Sequence, residues 1–427
     1  MTLCLIDNIA FGGEGVGRIE GLAVFIPLTL PGEVVEIDIY QKKKNFARAK
    51  LQLIIEANPN RVIPPCPYFA NCGGCQLQHA SYSLQLQIKR KFIEDSLTRI
   101  GNIHHPIPPV TPSSIPFAYR RHISLKLKVV NDSYALGFTR TNGSHLPISS
   151  CLLLYQEQKE TFNILPFLQT IFSKLDPLLP LSDSSVKIIK TPQNRYLICC
   201  SFSSSLPSAA LELLRKSLSS SSFISGGILK TPQTTLEFGE VIPYFIHNGL
   251  IFTYSPFGFV QNHPEQSGNI YNWILKSNLP SKKALDLYCG VGASSILLAQ
   301  EGKEVLGVEL NPISIDLAIK NAKKNKADRA QFICACAETS LPKLLKEFTP
   351  DAIIVNPPKT GISLEALKII TSSMAETITY ISCNPTTLAR DLSLLLNKGF
   401  SIQDLQAFDM FPQTTHVETA VHLVRKK

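Results

Sequence analysis

No stretch of this sequence approaches ~18 consecutive apolar residues, which excludes an ordinary helical membrane span. The first residues, MTLCLIDNIAFGGEG, carry neither the basic flank nor the apolar core expected of an export signal. No internal repeat is visible, which excludes a repeat architecture. A strong charge imbalance is also missing: 42 Lys and Arg against 33 Asp and Glu leave a net +9, compatible with a polyanionic partner without requiring one. At 427 residues the chain has room for two to four domains, each with its own core. Eleven cysteines are present, and those at 66, 72, 75 and 151 stand apart from the rest. In the cytoplasm, the expected setting, grouped cysteines are more often metal ligands or catalysts than disulfides. Nothing in the composition demands an obligate protein partner.

Residues 1–57 read as a small β-module, with alternation in AVFIPLTLPGEVVEIDIY and a turn at Pro31-Gly32. A proline-rich linker follows, then CPYFANCGGC and the amphipathic SYSLQLQIKRKFIEDSLTRIG, a helix stopped by Gly101. Residues 58–255 form a central region of mixed strands and short helices, with RRHISLKLKVV and YALGFTR as a hairpin and SLSSSSFISGG as a surface loop. From 256 to 427 the texture changes: ALDLYCGVG, EVLGVEL, DAIIVNPP and TYISCNP are short apolar runs separated by helical patterns. Such alternation predicts a doubly wound, Rossmann-like parallel sheet, with ligands at the carboxyl ends of its strands.

In ALDLYCGVGASSILLAQEG, Gly290 and Gly292 permit a tight turn before a helix, but Ser295 stands where a dinucleotide fingerprint wants a third glycine. Asp286 inside the strand favours a cationic ligand such as S-adenosylmethionine over a pyrophosphate, and Glu309 ends the next strand where it can take ribose hydroxyls. In VNPPKTG, Lys359 occupies the position where amino-group methyltransferases carry an aromatic residue. ISCNPTTLARD ends a strand on Cys383 and starts a helix at once, with Asn384 as N-cap and Pro385 in the first turn. That helix terminus is expected to lower the thiol's pKa, making Cys383 a nucleophile. A thiolate beside a methyl donor has a use in adding to carbon 6 of uracil. A base must afterwards remove the carbon-5 proton, and Glu418, predicted to alternate with His416 on one strand face, is the candidate.

The ordered motifs GEGVGRIEG, CPYFANCGGCQLQH, FVQNHPEQ, LDLYCGVG, VNPPKTG, SCNPTTLARD and FPQTTHVE resemble those of the RNA (uracil-5-)-methyltransferase family, in its iron–sulfur 23S ribosomal RNA branch. The resemblance implies a TRAM-type, OB-like RNA-binding barrel at the N-terminus. It places the nucleophile on Cys383, the base on Glu418, and the S-adenosylmethionine contacts on Gln261, Tyr288, Glu309 and Asn356. Relatives usually have Asp for Asn356, Arg for Lys359 and often Asn for Ala293. The spacing of Cys66, Cys72 and Cys75 with a distant fourth cysteine fits a [4Fe–4S] cluster or a structural zinc; the resemblance places the fourth ligand on Cys151 and favours iron. Lys42, Lys43, Lys44, Arg48, Arg120 and Arg121 are candidates for RNA backbone contact, with Tyr119 as a stacking platform. The rival expectations are an amino-group methyltransferase using VNPPK, and a catalytically silent RNA-binding assembly factor.

Overall fold

The computed structural model describes residues 2–155, 162–176, 179, 181 and 184–426. Alternating apolar residues close the first five strands into a barrel: β1 (Thr2–Ile9), β2 (Glu14–Ile19), β3 (Leu22–Pro27), β4 (Val34–Lys42) and β5 (Phe46–Glu56). Its interior holds Cys4, Ile6, Val24, Ile26, Val35 and Ile37, while Ala47 and Ala49 keep room for them. The segments flanking Pro31-Gly32 are strands, but they are not partners. β3 takes β5 in parallel and β4 pairs with β1 and β5, because closure needs the chain to cross over. Helix α1 (Tyr82–Arg99) follows, capped by the Ser81 hydroxyl accepting the Leu84 N–H.

The central sheet contains β6 (His122–Val130), β7 (Ser133–Thr139), β8 (His145–Pro147), β9 (Ser185–Lys190), β10 (Tyr196–Ser201), β11 (Ile224–Lys230) and β12 (Thr235–Gly239). Helices α2 (Ile164–Phe172) and α3 (Ser208–Ser219) pack on it through Leu165, Leu168, Leu211 and Leu214. The surface loop expected at 217–227 is narrower than that: residues 220–223 form an exposed turn, flanked by the last residues of α3 and the buried start of β11. Leu218 carries the helix's apolar face onward, and Gly226 and Gly227 are needed because a Cβ there would strike Glu240 and Phe238 within 2.5 Å.

The hairpin β13 (Tyr244–His247) and β14 (Leu250–Thr253) leads through α4 (Pro264–Ser277) into the third unit. Its elements are β15 (Lys283–Leu287), α5 (Ala293–Gln300), β16 (Glu304–Glu309), α6 (Pro312–Lys324), β17 (Ala330–Cys334), α7 (Ala337–Phe348), β18 (Ala352–Val355), α8 (Leu364–Thr371), β19 (Thr377–Ser382), α9 (Pro385–Asn397), β20 (Phe400–Phe408) and β21 (Glu418–Arg425). The sheet order is β17-β16-β15-β18-β19-β21-β20, five parallel strands and an antiparallel pair. Apolar layers cover both faces. α1 packs against α9, so this N-terminal helix lies on the third unit. Among the described residues no helix is long and apolar enough to cross a membrane.

Candidate active site

Strand register assembles the site. In the parallel sheet Leu287 stands opposite Val308 and Val355, and Val355 opposite Tyr380. Tyr288, Glu309 and Asn356 therefore share one rim at the carboxyl ends of three adjacent strands, and Cys383 ends a fourth. In the antiparallel pair Ser382 faces Thr419, so one step further position 383 falls beside position 418. Two residues 35 apart in sequence meet because β21 runs back alongside β19.

Tyr288 is the strained member of this rim. Its φ of +62 is left-handed, a conformation that a bulky residue holds only under constraint, at a cost of about 1–3 kcal/mol. The constraint includes its hydroxyl, which donates to Glu338 Oε1 at 2.7 Å. Gly290, φ +56, has open space where a Cβ would begin, whereas a Cβ at Gly292 would meet the Phe332 ring at 2.7 Å. Glu309 accepts the Gly290 N–H at 3.2 Å on one oxygen and the Asn311 N–H at 2.9 Å on the other, leaving each oxygen a lone pair. Asn356 is half-buried at the end of β18, across β15 from Glu309.

Asp286 does not face a ligand as expected. It is buried, and its Oδ2 accepts the hydroxyls of Ser294 at 2.6 Å and Ser295 at 2.5 Å. Burial pushes its carboxyl up to about 6. Ser295 thus replaces the third glycine because its hydroxyl serves Asp286. Gln261 lines a pocket with Arg121, Phe245, Tyr254 and Tyr271, and its neighbour Val260 packs in one cluster with Val291 of the glycine turn. Its other neighbour, Asn262, clamps His122, accepting its N–H at 2.9 Å and donating to its carbonyl at 2.8 Å.

Asn384 caps α9 as its sequence predicts, its Oδ1 accepting the Thr386 N–H at 3.1 Å. Its Nδ2 donates to the Lys359 carbonyl at 3.0 Å, tying the VNPPKTG loop to the thiol's turn. The expected lowering of the Cys383 pKa is overturned. Desolvation pushes this half-buried thiol up to about 11 and the Glu418 carboxylate pushes the same way, outweighing Lys359 and a hydrogen bond from the backbone at Cys383, which both act downward. Glu418 itself is 3% exposed, and no hydrogen bond or ion pair reaches its carboxylate among the described residues. Burial alone pushes it up to about 8.

His416 is not on the strand with Glu418. It precedes β21 in a loop, edge-on to Phe11 and Phe411, and burial pushes it down to about 4. Tyr119 is no stacking platform: it is fully buried, stacked on His263, and donates to the Pro412 carbonyl at 3.1 Å. Lys42, Lys43 and Lys44 are exposed on the barrel, while Arg48 pairs with Glu14.

Cys66, Cys72, Cys75 and Cys151 line one cavity of about 600 Å3 with Arg120 and Arg140, and no carboxylate is among its lining residues. Among the described residues no three Cys, His, Asp or Glu side chains form a group able to hold a metal ion, so the thiols share a cavity without closing into a ligand cage. Burial raises the thiols of Cys72, Cys75 and Cys151. Sequence reasoning missed Glu338, and it missed the buried Lys89–Asp409 ion pair, whose partners each look like surface charges in sequence.

Comparison with known proteins bears on this geometry. Residues 247–426 match the family model of tRNA (Uracil-5-)-methyltransferase, and residues 4–52 match the TRAM domain. An uncharacterized RNA methyltransferase of Protochlamydia amoebophila is 40% identical over 422 residues, covering 98% of this chain and 96% of that protein. One from Listeria innocua is 33% identical over 448 residues, covering 99% and 97%. Among solved structures, the Pyrococcus abyssi tRNA (uracil-54, C5)-methyltransferase in complex with S-adenosyl-L-homocysteine shares the fold with a TM-score of 0.77 at 23% identity, covering 99% of this chain and all of that one. The chain belongs to the RNA (uracil-5-)-methyltransferase family.

Proposed function

We propose that this protein uses S-adenosylmethionine to form 5-methyluridine in RNA, with Cys383 as nucleophile and Glu418 as base. The observation that carries it is the pairing across β19 and β21 of a thiol with a buried, unpartnered carboxyl, at the rim that bears Tyr288, Glu309 and Asn356. The rim suits the methyl donor: Gly290 leaves open space, and Glu309 keeps lone pairs for ribose hydroxyls. Asn356 offers a carbonyl acceptor, and Gln261 is assigned through the family motif. When bound, S-adenosylmethionine supplies an electrophilic methyl carbon on a cationic sulfur.

The protein's own groups do the rest. Carbon 5 of uracil is too weak a nucleophile to be methylated unaided. The Cys383 thiol first gives its proton to water, with the Lys359 charge favouring the thiolate; the thiolate sulfur then bonds to carbon 6, the C5=C6 pair shifts toward the C4 carbonyl, and the resulting enolate makes carbon 5 nucleophilic. Once carbon 5 is methylated, the Glu418 carboxylate removes its proton. The released pair restores the double bond and expels the Cys383 thiolate. A base near 8 is well matched to that transfer.

In this assignment residues 1–57 contact RNA, 58–255 carry the cysteines and 256–427 transfer the methyl group. Four thiols, no lining carboxylate and the Arg120 guanidinium are chemically suited to a [4Fe–4S] cluster, and the family motif favours iron over zinc. The motifs support 23S ribosomal RNA as the substrate. Cys383→Ala tests the chemistry: it should abolish methylation and also the covalent adduct with 5-fluorouridine RNA. Full activity in that variant would sink the nucleophile and favour amino-group transfer.

A further inference from the structure

Glu418 emerges from a loop, residues 409–417, on which the barrel, the cysteine segment and α1 converge. From α1, Lys89 donates to Asp409 and to the Phe411 carbonyl at 2.8 Å, and Tyr82 donates to Asp409 at 2.8 Å. From the cysteine segment, the N–H groups of Gln76 and Leu77 donate to the Gln413 carbonyl at 3.1 and 3.0 Å. From the barrel, Gly13 leaves room for Gln76 and Thr415, which a Cβ would approach to 2.7 and 3.2 Å, and Phe11 packs edge-on to His416.

The centre of this convergence is Gln413. It is 3% exposed and has a φ of +70, left-handed for a residue that is not glycine. Its partner Gln85, 1% exposed, accepts the Gln413 N–H at 3.0 Å and donates to the Gln413 side-chain oxygen at 2.9 Å. Gln85 also donates to the Ala80 carbonyl at 3.0 Å, and the Gln413 amide donates to the Pro116 carbonyl at 3.2 Å. The clamp therefore holds both the backbone and the side chain of a strained residue. Packing alone would not need that, since an apolar residue fills the space without leaving buried amides to be matched. What the clamp does fix is the path of the loop five residues before Glu418, whose buried carboxyl has no hydrogen bond among the described residues to aim it.

We propose that Gln413, clamped by Gln85, is a positioning residue for Glu418, linking the cysteine segment and the barrel to the base. This rests on the assignment of Glu418 above. If the clamp aims the base, loosening it slows only the step the base performs. Thiol addition and methylation continue, and the product stays bonded to Cys383.

The test uses full-length Gln413→Gly, which tolerates the left-handed backbone but lacks the side chain, and Gln85→Glu, which keeps the acceptor for the Gln413 N–H and loses the donor. Each is incubated with ribosomal and transfer RNA transcripts carrying uridine or 5-fluorouridine. The rate of adduct formation with 5-fluorouridine RNA should stay within about twofold of the unsubstituted enzyme. Turnover on uridine RNA should fall 10-fold or more, with a denaturation-resistant, methylated enzyme–RNA species accumulating. Equal losses in both assays, or no loss in either, would overturn the proposal. Hydrogen exchange decides independently of activity: both variants should exchange faster at Thr414–Thr419 and unchanged in β15, β16 and β18. Unaltered exchange at Thr414–Thr419 would also overturn it. Absence of any adduct with the unsubstituted enzyme would count against the uracil chemistry, while the exchange result still judges the clamp.

Discussion

Glu418→Gln should remove a pH dependence from the stability of this protein while stopping its turnover. Burial lifts the Glu418 carboxyl from an ordinary 4.5 to about 8. The folded state therefore keeps its proton at pH values where the unfolded chain has lost it. Below pH 4.5 both states are protonated and the site costs nothing. As pH climbs from 4.5 to 8, each full pH step costs about 1.4 kcal/mol, or, with the curve flattening at both ends, roughly 3.5 kcal/mol between pH 5 and pH 8. Above pH 8 the penalty is complete and constant. The amide of Gln has the same shape and no proton to lose, so this part of the pH dependence disappears. Urea unfolding at pH 5, 6, 7 and 8 reads the effect as the difference between the two curves: the variant should gain on the unsubstituted protein progressively with pH. Turnover should drop about 10²- to 10⁴-fold, the usual worth of a positioned base. Parallel stability curves across this range would refute the claim that the carboxyl is buried without a partner.

Three other outcomes follow from the same structure. Lys89→Met should destabilise by about 3–5 kcal/mol, because it strands the Asp409 carboxylate in the interior, and adding Asp409→Leu should recover most of the loss in a denaturant titration. Replacing Lys42, Lys43 and Lys44 by Gln should make the salt dependence of RNA affinity shallower, by about 2 in log–log slope, and an unchanged slope would remove these lysines from the RNA interface. Protein purified without oxygen should be brown and hold four irons, with Cys75→Ser losing the colour; stoichiometric zinc without visible absorption would reassign the cavity.

The legible parts of this protein were those decided by neighbours in sequence. The end of β19, the cap at Asn384 and the run of α9 follow from a few adjacent residues, and so does the alternation that builds the barrel. The C-terminal sheet was legible for the same reason, as short apolar runs between helical periods. Features set by distant partners were not legible. The Cys383 pKa moves opposite to the helix-terminus expectation because burial strips away water and, secondarily, β21 brings a carboxylate alongside. Tyr119 looked available to a base because nothing nearby in sequence announces His263 as its stacking partner. His416 left the strand because the loop before Glu418 turns through the left-handed Gln413, held by Gln85 from the far end of the chain. The pairing of β3 with β5 rather than β4 likewise belongs to barrel closure and leaves no mark at the Pro31-Gly32 turn.

The clamp and the ion pair on α1 also set an order of events during synthesis. Gln85 and Gln413 are 328 residues apart, and Lys89 and Asp409 are 320 apart. At about 5–20 residues per second, translation takes roughly 15–65 seconds to pass from the first member of each pair to the second. Through that interval the ammonium of Lys89 and the amide of Gln85 stay hydrated, awaiting groups not yet made. The nascent chain can fold its barrel early, but on the proposed mechanism its chemistry waits until β21, which carries Glu418, leaves the ribosome.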